Sequence, residues 1–249
     1  RTIPPGSLTN AGEVYRWQNS WRLLVYRPAR PSGRLLVLFH GWNQRAESWR
    51  DRTRAAALAE QYGVILVAPQ LGTCNYMLRY YPETHPRMRW SPVPGVVWLE
   101  RLFLPWLRTT FGRQTLAVAG VSTGARGALV TAQRLAAFRC VGYISGDWDI
   151  IKDNGTLYKM SLGPQERFRA PWEANDTARR ADKLKDRRVF IAHAADDRVT
   201  PAWQTEQLHR DLTRLGTVCR FRIHPRGGHE WAFWDSCLPE LFAFFFGNS

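Results

Sequence analysis

The chain has 249 residues, is 45% hydrophobic and carries 12 tryptophans, enough to bury a large core within a single α/β domain. Its formal net charge is +14, and of the 35 basic residues only Lys152, Lys159, Lys183 and Lys185 are lysine, so the excess is arginine. The arginines are scattered rather than gathered into a run, which argues against a specific nucleic-acid partner and leaves association with anionic surfaces as a weaker expectation.

In chain order, residues 1–12 (RTIPPGSLTNAG) read as an N-terminal arm, and residues 13–249 as one domain. Strands are predicted at Glu13–Gln18 and Trp21–Arg27, joined across Asn19-Ser20. Arg34–Phe39 is a continuous apolar run, the pattern of a strand buried on both faces of a parallel sheet. It runs into His40-Gly41-Trp42-Asn43. A helix over Glu47–Tyr62 and a second buried strand at Val64–Ala68 follow. The aromatic, proline-studded segment Gln70–Pro94 is long for a loop, and loops of that length are usually functional. Gly95–Phe111 reads as a helix turning Val96, Leu99, Leu102, Phe103 and Trp106 to the core, with a kink expected at Pro105. A strand at Thr115–Ala119 leads through a Gly120–Gly124 turn into a helix of small residues, and another strand spans Cys140–Ser145. Residues 146–187 break the alternation and look like an insertion over the carboxyl edge of the sheet. It resumes with a strand at Arg188–His193, a helix at Pro201–Leu215, a strand at Thr217–Ile223 and a closing helix at Glu230–Phe246. Alternating β and α elements imply a mostly parallel central sheet with helices on both faces, binding its ligand beyond the carboxyl ends of the strands.

The chemistry centres on Gly120-Val121-Ser122-Thr123-Gly124. A serine on a sharp strand-to-helix turn has its hydroxyl exposed and the next amide aimed at the same point. A serine hydroxyl is a weak nucleophile and needs a base, which in turn needs an orienting acid. Asp196 and Asp197 compete for the acid role just after a buried strand, and Asp197 is the choice. Among six histidines, His229 in Arg226-Gly227-Gly228-His229-Glu230-Trp231 follows the next strand and is the expected base, with His224 the nearest rival. His40 and His193 end other strands and are expected to bond to backbone locally. The oxyanion would be held by the amides of Thr123 and Trp42.

With these residues in view, the chain resembles the α/β-hydrolases, and within them the esterase D, S-formylglutathione hydrolase and feruloyl esterase-like group. The likeness runs from Leu35 to Phe246 and is most specific at Ser145-Gly146-Asp147, Leu157-Tyr158-Lys159, Ala181–Lys185 and Gly227–Trp234. It departs at Ala125 and Ala194, where the group often has glycine. The resemblance implies an α/β-hydrolase fold and carboxylic-ester hydrolysis by Ser122, His229 and Asp197 through an acyl-enzyme, on a small-molecule or polymer-linked ester, with no cofactor and no metal. Tyr76, Trp148, Trp172 and Trp231 are candidates for an aromatic substrate wall.

The alternatives are an acyltransferase to a sugar or lipid alcohol, a serine peptidase on the same residues, and a non-catalytic polyanion-binding module. Cys74, Cys140, Cys219 and Cys237 show no metal-ligand spacing and are read as either two disulfides or four buried thiols. No stretch reaches the ~18 apolar residues of a membrane span. The compartment is left open, with a secreted or periplasmic location favoured over the cytoplasm.

Overall fold

A computed structural model describes residues 13–17, 21–112 and 114–247. The arm at 1–12 and the Asn19-Ser20 turn therefore lie outside the described residues. Strands β1 (Glu13–Trp17) and β2 (Trp21–Tyr26) pair antiparallel, with Tyr15 opposite Leu23. Next come β3 (Arg34–Phe39), helices α1 (Ser48–Asp51) and α2 (Ala55–Tyr62), and β4 (Val64–Pro69). The single helix expected over 47–62 is thus two. Thr53 causes the break: its hydroxyl donates to the Trp49 carbonyl and accepts from the Ala55 amide at 3.2 Å, competing with the helical ladder, and Asp235 takes the Arg54 amide at 2.7 Å.

Helix α3 (Gly95–Trp98) passes through a π-helical turn at Leu99–Phe103 into α4 (Leu104–Phe111). Pro105 has no N–H to give the preceding turn, and the chain meets this with the wider π turn. Of the five residues predicted to face the core here, Leu102 is only half-buried. Strand β5 (Thr115–Val121), helix α5 (Thr123–Arg134) and strand β6 (Phe138–Ile144) follow. Between β6 and the next strand lie α6 (Ile150–Asp153), α7 (Thr156–Leu162), α8 (Arg169–Asn175) and a 3₁₀ segment at Ala178–Leu184. The chain closes with β7 (Arg188–Ala194), α9 (Trp203–Arg214), β8 (Val218–His224) and α10 (Trp231–Phe246).

These strands form an eight-stranded sheet in the order β1-β2-β4-β3-β5-β6-β7-β8, parallel from β4 through β8. The core lies on both faces. Trp98, Phe103, Ala125, Leu129 and Leu208 pack against one, from α3 through α5 and α9, while Trp49, Leu58, Trp234, Leu241 and Phe242 cover the other from α1, α2 and α10. Burial on both faces is why the central strands are uninterrupted apolar runs. The four cysteines are unpaired thiols, three of them buried. Among the described residues no helix is long and apolar enough to cross a membrane.

Candidate active site

Ser122 sits between β5 and α5 with φ 57° and ψ −130°, a conformation that non-glycine residues avoid and that is held here by packing. The two glycines of the turn make it feasible. A Cβ on Gly120 would lie 2.1 Å from the Gly124 carbonyl oxygen, and one on Gly124 would lie 2.4 Å from that of Phe39. The Ser122 amide donates to the Ile144 carbonyl at 3.0 Å, so the turn is fastened to β6 while its side chain faces out.

His229 reaches this serine from the loop between β8 and α10. Its Nε2 lies 2.9 Å from Ser122 Oγ and its Nδ1 2.7 Å from Asp197 Oδ2. The other carboxylate oxygen of Asp197 accepts from the amides of Val199 at 2.8 Å and Thr200 at 2.9 Å. Burial alone would raise the Asp197 carboxyl, but the His229 hydrogen bond and these amides outweigh it and hold the group below its usual range. A carboxylate that stays charged fixes the His229 tautomer, with hydrogen on Nδ1 and a free lone pair on Nε2 towards the serine. The ring is braced edge-on by Trp234, centroids 5.1 Å apart.

The rival residues have other tasks. Asp196 accepts from the Gly228 amide at 2.8 Å and ties the histidine loop to the β7 loop. His193 is fully buried between the Thr205 hydroxyl (2.6 Å) and the Thr200 carbonyl (2.9 Å), and burial keeps it neutral by lowering its pKa. His40 donates to its neighbour's carbonyl at Gly41 (2.7 Å) and accepts from Leu71 N (2.8 Å), with burial pushing it down to about 4. His224 packs edge-on to Phe233, centroids 5.3 Å apart, and takes no part at the serine.

The His40-Gly41-Trp42 turn lies against Ser122: a Cβ on Gly41 would come within 3.1 Å of Ser122 Cβ. Thr123 is the first residue of α5, so its amide has no acceptor within the helix. Gln44 steadies the facing turn by accepting from the Gly41 amide at 3.0 Å.

The aromatic wall expected from the sequence needs correction. Tyr76 (2% exposed) is a core wedge, its ring 5.4 Å from Phe39 and pressed on Gly127, where a Cβ would fall 2.2 Å from the ring. Trp148 and Trp172 are wholly buried, with indole N–H groups on Asp211 (2.8 Å) and the Gly163 carbonyl (3.0 Å). They have no surface to offer a substrate. Of the four, Trp231 alone lines an open cleft beside His229, a space of about 660 Å³ shared with Gln44, Arg45, Ser48, Arg52 and Glu230.

Sequence reasoning passed over Arg126, one turn along α5 from Ser122. It is fully buried and donates to the carbonyls of Asn75 (2.6 Å) and Asn175 (2.7 Å), joining the 70–94 segment to α8 beneath the site. Its signal was in the sequence: a lone charge among TGARGALVTA, where every neighbour is small or apolar. Asp147, just past β6, accepts from the Tyr158 hydroxyl at 2.5 Å, and burial raises its carboxyl despite that bond and the Arg126 charge.

Comparison with known proteins follows the same lines. The model of the prolyl oligopeptidase family (Peptidase_S9) matches residues 107–240, more than half of the chain. A ferulic acid esterase superposes with a TM-score of 0.65 at 20% identity, covering 94% of this chain and 96% of its own. An S-formylglutathione hydrolase from Agrobacterium tumefaciens superposes at 0.74 with 13% identity, covering 94% of both chains. A fluorophosphonate-binding serine hydrolase from Staphylococcus aureus gives 0.74 at 15%, covering 96% of this chain and 98% of its own. No curated protein matches. These superpositions establish the α/β-hydrolase fold.

Proposed function

Because the chain belongs to the prolyl oligopeptidase family, whose model ends just beyond the histidine loop, we propose that it is a serine carboxylic-ester hydrolase working through Ser122, His229 and Asp197. The observation that carries this reading is the continuous hydrogen-bond chain from Ser122 Oγ through His229 to Asp197, at 2.9 and 2.7 Å, on a strained turn at the carboxyl end of the sheet. His229 Nε2 takes the Ser122 proton as Oγ bonds to the ester carbonyl carbon. The carbonyl oxygen becomes an oxyanion facing the amides of Thr123 and Trp42. On collapse the C–O bond to the alcohol breaks, and His229 returns its proton to the departing oxygen. Water then enters, gives a proton to His229, and releases the acid and free Ser122 from the acyl-enzyme. None of these steps draws on a metal or cofactor.

The family match itself favours a second reading, peptide-bond cleavage by the same residues. The ester reading ranks first because neighbours covered almost end to end include an esterase and a thioester-named hydrolase. The deciding experiment follows 4-nitrophenyl esters of increasing acyl length, a hydroxycinnamate ester, S-formylglutathione and a set of peptide anilides with the intact chain and its Ser122→Ala variant. Ester turnover lost in the variant is expected. Anilide turnover without ester turnover would replace the proposal by the peptidase reading, and product transfer to added alcohol in preference to water would make the chain an acyltransferase.

A further inference from the structure

The arginine excess has a local arrangement at the cleft beside His229. Four arginines lie on or near the 45–54 segment that forms one wall. Arg50 lies 2.6 Å from Asp51, and Arg54 lies 2.9 Å from Asp235. A fifth, Arg22 from β2, occupies Glu47. Of the two that line the cleft, Arg45 makes only a long ion pair, and Arg52 makes none among the described residues. Arg45 is 74% exposed, and its Nε lies 3.7 Å from Glu47 Oε2, while Arg22 holds the other oxygen of that carboxylate. Arg52 is exposed and makes no ion pair.

Their backbone is held in place although their side chains reach into solvent. Gln70 accepts from the Ala46 amide at 2.7 Å and donates to the Gln44 carbonyl at 2.9 Å, bracketing Arg45. The Arg52 amide closes α1 on the Ser48 carbonyl at 3.0 Å. Gln44 also accepts from the Gly41 amide at 3.0 Å, which ties this wall to the turn facing Ser122. Glu230 is the one carboxylate on the opposite wall, and Trp231 gives that wall an apolar face.

We propose that this cleft is a subsite for an anionic group, carboxylate or phosphate, borne by the substrate; the proposal rests on the hydrolase reading above. Two exposed guanidinium groups on a braced backbone, facing a wall that carries Trp231, suit a planar or tetrahedral oxyanion attached to the part of the ester that passes His229. A pair of exposed arginines supports a preference of roughly 3- to 10-fold, falling as salt shortens the screening length.

Two matched substrate pairs place the charge on either side of the ester: 4-acetoxybenzoate against methyl 4-acetoxybenzoate, and 4-nitrophenyl hemisuccinate against 4-nitrophenyl butyrate. The readout is the ratio of kcat/KM, anionic over neutral, in each pair. The expected result is a ratio of roughly 3 to 10 in one pair at low salt, dropping towards one in an Arg45→Gln/Arg52→Gln variant and in concentrated sodium chloride. The pair that shows it tells which side of the ester enters the cleft. Ratios at or below one in both pairs, or a preference that survives the double substitution, would overturn the subsite. Binding of 4-acetoxybenzoate to the Ser122→Ala chain, followed by tryptophan fluorescence and competed by inorganic phosphate, decides the same question without turnover. If no ester, anionic or neutral, is hydrolysed, the hydrolase reading fails, while tighter binding of the benzoate than of its methyl ester, weakened by the double substitution, would still uphold the cleft as an anion site. Equal binding of the two would remove it.

Discussion

Asp197→Asn is the sharpest test of the charge arrangement, because the structure dictates how the new amide must sit. One carboxylate oxygen of Asp197 accepts two backbone N–H groups, from Val199 and Thr200, so the asparagine must put its carbonyl there. Its NH2 then occupies the place of Oδ2 and points at His229 Nδ1 across 2.7 Å. Two donors cannot share that line. His229 responds by moving its hydrogen to Nε2, which now donates to Ser122 Oγ across the existing 2.9 Å instead of accepting from it. The fold is kept and the base is lost. Removing the base function in this way costs about 10⁴ in kcat, or about 5.5 kcal/mol of transition-state stabilisation. The assay is steady-state ester hydrolysis, with circular dichroism and thermal melting to show that the variant is folded. A folded variant keeping more than about a tenth of wild-type kcat would refute the assignment of Asp197 and, with it, the tautomer argument.

Three further outcomes follow from the packing around the site. Arg126→Met should lower stability by about 3 to 6 kcal/mol, since two charge-assisted bonds at about 1.5 to 3 kcal/mol each are lost and the Asn75 and Asn175 carbonyls are left buried; urea unfolding showing a loss under about 1 kcal/mol would contradict this. Gly124→Ala would drive a Cβ to within 2.4 and 2.5 Å of the Phe39 and His40 carbonyl oxygens, and should yield a chain with ester turnover reduced at least tenfold or no soluble fold; wild-type kcat in this variant would show that the turn has slack. Asp176 is raised to about 6 by burial and by the nearby Asp149 charge. Its folded-state pKa lies above the unfolded value, so the native state holds the proton more tightly, and stability from this group is full below about pH 4 and lost as pH rises to about 6. Relative to Asp176→Asn, the wild type should therefore lose up to about 3 kcal/mol across that interval, and parallel pH profiles would exclude the effect. Asp197 acts with the opposite sign: its lowered pKa gives stability that is present above about pH 4 and lost as pH falls further.

Much of this was legible in the chain because its central strands are buried on both faces. Leu35–Phe39, Val64–Ala68 and Val189–Ala192 read as apolar runs for that reason, and the residues carrying Ser122, Asp197 and His229 could be placed at strand ends by counting forward. The interruption at Arg52–Arg54 was not legible, since it depends on Thr53 bonding backward and on Asp235 arriving from more than 180 residues away. Nor was the π turn before Pro105, where the sequence signals strain without saying how it is absorbed. The aromatic wall failed for a different reason. Hydrophobicity marks Tyr76, Trp148 and Trp172 as residues that leave water, but a core and a substrate pocket meet that need equally well, and the direction of each side chain comes from partners such as Gly127, Asp211 and Gly163. The cleft was hidden because arginines 45 and 52 look like any others until their neighbours prove to be paired.

The histidine loop grows out of β8, the last strand of the sheet, none of whose seven residues is buried. Among the described residues only β7 pairs with it, while the serine's strand lies between β3 and β6 in the middle. Ser122 and His229 are thus mounted on parts of very different resilience. Under mild heat or denaturant the outer strand should loosen at a free energy well below that of the whole molecule, taking His229 away from a serine whose surroundings remain folded. Inactivation would then run ahead of global melting and reverse on cooling, so the lifetime of the enzyme in use would be set at the rim of the sheet and not in its core.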